Sequence, residues 1–148
     1  MNAGKFKTTE ELNHEIKAAT DIQDYLISNK QNILTCSLPE HLNMLLTQKG
    51  LSKADVIRDC LLDRVYVYQI FAGRKAPSRD KLIALAFGLH LSVEETQKML
   101  KISGNGELYA RIERDALIRF ALHRKMTIFE VNELLLEHGF MLLGTVKE

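Results

Sequence analysis

The chain has 148 residues, of which 46% are hydrophobic and 26% charged, and a formal net charge of +1. A chain of this length buries roughly 68–70% of its unfolded surface, so it needs neither a disulfide nor a metal to hold a fold. No apolar run approaches the ~18 residues of a membrane span, and the N-terminus is charged from the start with no apolar run like that of a signal peptide, so the cytoplasm is the expected compartment.

Thr8 followed by Glu11 is a capping-box pattern, and Leu12, Ile16, Ala19, Ile22 and Leu26 recur at helical spacing. One helix is predicted from Thr9 to about Asn29. Its apolar stripe suits either a dimerisation arm or packing on its own domain. Ser37 and Pro39 mark the next start, Leu42, Leu45 and Leu46 give that helix a stripe, and Gly50 ends it. Cys36 and Cys60 are isolated, without the paired spacing of a zinc site, and read as reduced thiols.

The same punctuation then occurs three times: an apolar residue, a hydroxyl, and an acid three residues later. It is found at Leu51-Ser52/Asp55, Leu91-Ser92/Glu95 and Met126-Thr127/Glu130. Each predicts a helix start in which the hydroxyl and the acid satisfy backbone N–H groups that have no partner within the helix.

The helix after Ser52 runs to about Cys60, with Val56, Ile57 and Cys60 on one face. Asp63 caps the following helix, which runs to about Ala72 and stops at Gly73. At ~100° per residue, Val67, Ile70 and Phe71 fall on the inner side of that helix. Arg64, Val65, Tyr68, Gln69 and Ala72 fall on the outer side, with Tyr66 on a flank. Two short helices joined by a tight turn are the form of a helix-turn-helix, whose second helix fits a DNA major groove. The outer residues suit base edges: Arg pairs with guanine, Gln with adenine, and small apolar groups touch thymine methyls. Arg74 and Lys75, in the exit Gly73-Arg74-Lys75-Ala76-Pro77, would face phosphates, with Lys53 as a further candidate. Between Lys49 and Lys81 eight basic residues stand against four acids. Positive charge is therefore concentrated where this reading requires it.

Residues 79–104 align without gaps on 114–139. Arg79/Arg114, Asp80/Asp115, Leu82/Leu117, Ile83/Ile118, Ala86/Ala121, Glu95/Glu130, Leu100/Leu135 and Gly104/Gly139 are identical. Each unit reads as a helical hairpin, and two are too few for a solenoid, so they are expected to stack together. Ser103-Gly104-Asn105-Gly106 separates them, and the apolar tail Phe140-Met141-Leu142-Leu143 is expected to dock on the body. No window alternates like a strand. The chain reads as all-α, with about eight helices.

The stretch from Gly50 to Ser78, continuing through Asp80 to Ala86 and Leu91-Ser92, resembles the Xre/Cro-type, lambda-repressor-like helix-turn-helix domain. The resemblance covers roughly residues 38–100 and implies a five-helix domain. It also implies sequence-specific binding of double-stranded DNA, commonly as a homodimer, and transcriptional regulation. By the family's pattern Lys53, Arg64, Val65, Tyr68, Gln69, Arg74 and Lys75 fall at positions that often contact DNA. Three positions depart from it: Lys53 stands where Gln is frequent, Ile57 where Ala is usual, and Leu61 where Gly is usual. The segment from Lys81 to Leu143 resembles an extended form of the domain found in bacterial regulators.

The organisation expected is therefore an N-terminal helix and linker (1–37), a helix-turn-helix domain (38–104) and a C-terminal helical hairpin packed on it (105–148). That hairpin is a candidate platform for a protein partner or for dimerisation. The competing reading is an adaptor or antitoxin-like module, which Tyr66 and Tyr68 would suit because aromatics are enriched at protein interfaces. An enzyme is not expected. His14, His41, His90, His123 and His138 are scattered with no HExxH, Glu94-Glu95 is explained by capping, and no metal or cofactor motif is present.

Overall fold

The computed structural model describes residues 7–29 and 37–144. They form nine helices and no strand. They divide into two compact units, one before Cys36 and one from it onward. Cys36 itself lies outside the described residues.

In the first unit, α1 (Thr9–Ala18) opens on the expected capping box between Thr8 and Glu11. The single helix expected over 9–29 is two. Ala19 is extended, and Asp21 accepts a hydrogen bond from the Gln23 N–H and starts α2 (Ile22–Ser28). A short carboxylate that captures a nearby backbone N–H offers the chain an alternative to continuing the helix. A polar latch joins the two helices. Asn29 donates to Glu15 at 2.8 Å, and Lys7 reaches both Asn29 and Glu15. Tyr25 is buried, whereas Ile16, Ile22, Leu26 and Ile27 are exposed.

The second unit holds α3 (Leu38–Lys49), α4 (Lys53–Cys60), α5 (Arg64–Phe71), α6 (Arg79–Gly88), α7 (Val93–Ile102), α8 (Glu113–His123) and α9 (Ile128–Glu137). Capping boxes open α3, α4, α7 and α9 at Ser37, Ser52, Ser92 and Thr127. The centre of the unit is α6, buried continuously from Leu82 to Gly88, as a helix stretch that is apolar all round must be. It crosses α4 so closely that a Cβ added at Gly88 would lie 2.8 Å from both Cys60 Cβ and the Val56 carbonyl oxygen.

Structure accounts for most of the repeated residues. Ile83/Ile118, Ala86/Ala121 and Leu100/Leu135 are buried in both units. Glu95 and Glu130 complete capping boxes, and Gly104 and Gly139 are left-handed at φ 79° and 78°. The charged pairs cross between the units. Arg79 donates to Asp115 at 2.7 and 3.2 Å, and Arg114 donates to Asp80 at 2.9 and 3.0 Å. Each arginine also donates to a carbonyl of its own unit's exit loop, Gly106 and Glu107 for Arg79, Met141 for Arg114. In the same way α6 meets α9 and α7 meets α8. Contacts that hold when the two partners are exchanged are the mark of a two-fold relation.

The equivalence also extends past the identical residues. The Gln97 side-chain amide brackets the backbone of Leu108, accepting at 2.7 Å and donating at 2.9 Å. Asn132 does the same to Leu143, at 2.8 and 3.0 Å. Each hairpin therefore carries a short strap that inserts a leucine into the core, and Leu108 and Leu143 are both buried. The expected docking of the tail occurs at Leu143, while Met141 remains exposed. Just beyond it, Gly144 (φ 71°) lies over the α4–α5 turn, where an added Cβ would be 2.6 Å from the Cys60 carbonyl oxygen.

Candidate nucleic-acid interface

The α4–α5 connection is three residues, Leu61 to Asp63. Leu61 takes the left-handed conformation, φ 62° and ψ 19°, which L residues other than Asn and Asp seldom adopt. This is the position at which the resembled motif usually carries Gly. Leu62 is buried beneath the turn, and Asp63 caps α5 by accepting from the Tyr66 N–H at 3.2 Å. Ile57, the other bulky departure, packs half-buried against the core.

The two faces of α5 divide as its periodicity predicts. Val67, Ile70 and Phe71 are buried, while Val65 is 61% and Tyr68 43% exposed. Arg64 is exposed and Gln69 half-buried. The C-terminal end of α5 is held on two sides. Asn43 of α3 donates to the Phe71 carbonyl at 3.1 Å. Gly73 is left-handed at φ 81°, and a Cβ there would lie 3.2 Å from Pro39. The chain then folds back, so that the Arg74 N–H donates to the Gln69 carbonyl at 2.8 Å. Arg74 and Lys75 leave directly from the end of α5, and both are exposed.

Lys53, the first residue of α4, stands beside α5. Its Nζ is 5.3 Å from the Tyr68 ring centre and 5.8 Å from that of Phe71. Contacts thus join Lys53 to Tyr68 and Arg74 to Gln69, and helical spacing joins both pairs to Arg64 and Val65. Sequence reasoning missed Lys81. Its Nζ lies 4.6 Å from the Tyr66 ring centre, which adds another cation beside the flank of α5. That contact forms between separate helices, and no local pattern announces it.

The basic residues differ in how they are held. Lys49, Arg58, Arg79 and Arg114 each pair with a carboxylate. Among the described residues Arg64, Arg74 and Lys75 pair with none. Unpaired guanidinium and ammonium groups on one exposed ridge can meet phosphates or base edges without first breaking an internal ion pair.

Burial pushes the Cys60 thiol up to about 11, which keeps it protonated and unreactive. No group of three His, Cys, Asp or Glu side chains comes together to hold a metal ion among the described residues. No helix among them is long and apolar enough to cross a membrane. No protein-family model, curated protein or solved structure matches the chain.

Proposed function

We propose that the unit from Cys36 onward is a sequence-specific DNA-binding transcriptional regulator that inserts α5 into the major groove of double-stranded DNA. In this reading α3 to α7 are the five helices of a lambda-repressor-like domain, and the protein acts in the cytoplasm as a homodimer. Arg64, Val65, Tyr68 and Gln69 address base edges. Lys53, Arg74 and Lys75 take phosphates.

The observation that carries the reading is the ridge itself. It is a short helix, rigidly held at both ends, whose outer face presents exposed Val65 and Tyr68 beside basic groups with no internal carboxylate partner. Selection from a pooled oligonucleotide library tests it, and an enriched motif is expected. With about three phosphate contacts per subunit, about six for the homodimer, log K should fall against log salt with a slope near −5.4. A library that returns no motif overturns sequence-specific binding. A salt-independent association would favour the adaptor or antitoxin-like reading, which the exposed aromatic Tyr68 supports.

A further inference from the structure

The two-fold arrangement of the repeats creates a cleft of about 410 Å³ between the α6–α7 and α8–α9 turns. Its floor is made of equivalent apolar residues from the two units, Phe87 with Leu122 and Leu91 with Met126. Basic side chains stand around it. Lys49 is held by Glu95 at 2.8 Å, and His90 Nε2 lies 3.2 Å from Asp59 of α4. Among the described residues the side chains of His123 and Lys125 have no hydrogen-bond or ion-pair partner. Glu94 is the one acid among the residues lining the cleft.

A second observation falls on the same place. The non-glycine residues with positive φ among those described are Leu61, His90 and Lys125. His90 (φ 56°) and Lys125 (φ 57°) occupy equivalent positions, and both line this cleft. At four other helix ends the left-handed residue is glycine, Gly50, Gly73, Gly104 and Gly139, while Leu61 holds that place at the end of α4. Glycine would be the easier residue at 90 and 125 too. Instead the chain carries a basic side chain at each, directed by a strained backbone to the edge of an apolar floor. Strain of this kind concentrates where a side chain has a task.

We propose that this cleft binds an amphipathic carboxylate, a small aromatic or medium-chain aliphatic acid whose apolar body lies on Phe87, Leu122 and Met126. Its acid group would meet Lys125 and His123. The volume lies within the range of small-molecule sites, and apolar and polar residues line the cleft in equal number. The site does not depend on the DNA reading, because its test contains no nucleic acid.

The test is a titration of the full chain at neutral pH with octanoate and with phenylacetate, followed by amide chemical shifts. Saturable shifts are expected in the segments 86–94 and 121–127. Lys125→Gly should bind either acid at least tenfold more weakly while remaining fully folded, because it removes the cation and relieves the left-handed backbone together. The neutral amides of both acids, and inorganic phosphate, should also bind at least tenfold more weakly. The proposal is overturned if neither acid saturates by about 10 mM, or if Lys125→Gly binds as the parent does. Equal binding of the neutral amides would remove the role of the charge, and equal binding of phosphate would remove that of the floor. Either result also overturns the proposal.

Discussion

The crossed arginine–aspartate pairs are made of the same residue types at equivalent positions, yet losing one should cost far more than losing the other. The Asp115 side chain is 5% exposed, and among the described residues it accepts, besides Arg79, only from the Tyr109 N–H at 2.9 Å. Arg79→Met keeps the aliphatic stem but leaves a buried carboxylate without its counter-ion. Breaking a buried pair from one side costs about 3–5 kcal/mol. The Asp80 side chain is 38% exposed, so water takes over when Arg114→Met removes its partner. The cost there should be about 1–2 kcal/mol, between an exposed ion pair and a hydrogen bond to a charged group. Urea unfolding followed by far-ultraviolet circular dichroism reads both values from the shift in midpoint at constant slope. Adding Asp115→Asn to Arg79→Met removes the orphaned charge and should restore at least about 1 kcal/mol, a coupling within the range of residues in contact. Equal losses for the two arginine variants, or no recovery in the double variant, would refute the argument that burial of Asp115 sets the cost.

Gly88→Ala should lower stability by about 1–3 kcal/mol in spite of alanine's better helix propensity, because the added methyl meets Val56 backbone at 2.8 Å; thermal unfolding checks it. Burial holds the His41 imidazole below its ordinary range, with Lys98 pushing the same way and Glu95 opposing, and its Nε2 has no hydrogen-bond partner. The unfolded chain therefore takes up this proton more readily, so stability falls as pH drops below about 6.5, by at most about 1.4 kcal/mol per pH unit. His41→Leu should flatten that slope above about pH 5, whereas the lowered carboxyls of Asp55, Asp59 and Glu95 withdraw their contribution below about pH 4.5. On selected DNA, Gln69→Ala should change the preferred base at one position. Lys75→Ala should weaken all sequences alike and reduce the salt slope by about 2, one contact in each subunit of the homodimer, and a Lys75 effect confined to one sequence would contradict its phosphate role.

What could be read from the chain was what acts over three or four residues. The hydroxyl–acid pairs at Ser52, Ser92 and Thr127 gave helix starts because both partners of each capping bond lie within one turn. The division of α5 into inner and outer faces followed from periodicity alone. The break at Ala19 was written in Asp21, but the apolar recurrence from Leu12 to Leu26 ran straight through it. Most of those side chains are exposed within the first unit, so their spacing did not report a buried face. The tertiary features were out of reach. Gln97 and Asn132 perform one task with different residue types, so identity within the repeat could not reveal the straps. The meeting of Lys81 with Tyr66, and of Lys53 with Tyr68, depends on how helices are packed. The repeat showed which arginines and aspartates matter, and only the fold showed that they cross.

That crossing also decides a stoichiometry. In a repeat that grows by translation, each unit offers the next an unmatched face, and the array must be capped at both ends. Here Arg79 and Arg114 each find a carboxylate on the other unit, and no charge of the four is left to receive a third hairpin. The series is closed at two by the geometry of its own contacts, much as a two-fold dimer closes. The chain carries in one polypeptide what would otherwise require the meeting of two, so this half of the unit is complete at any protein concentration.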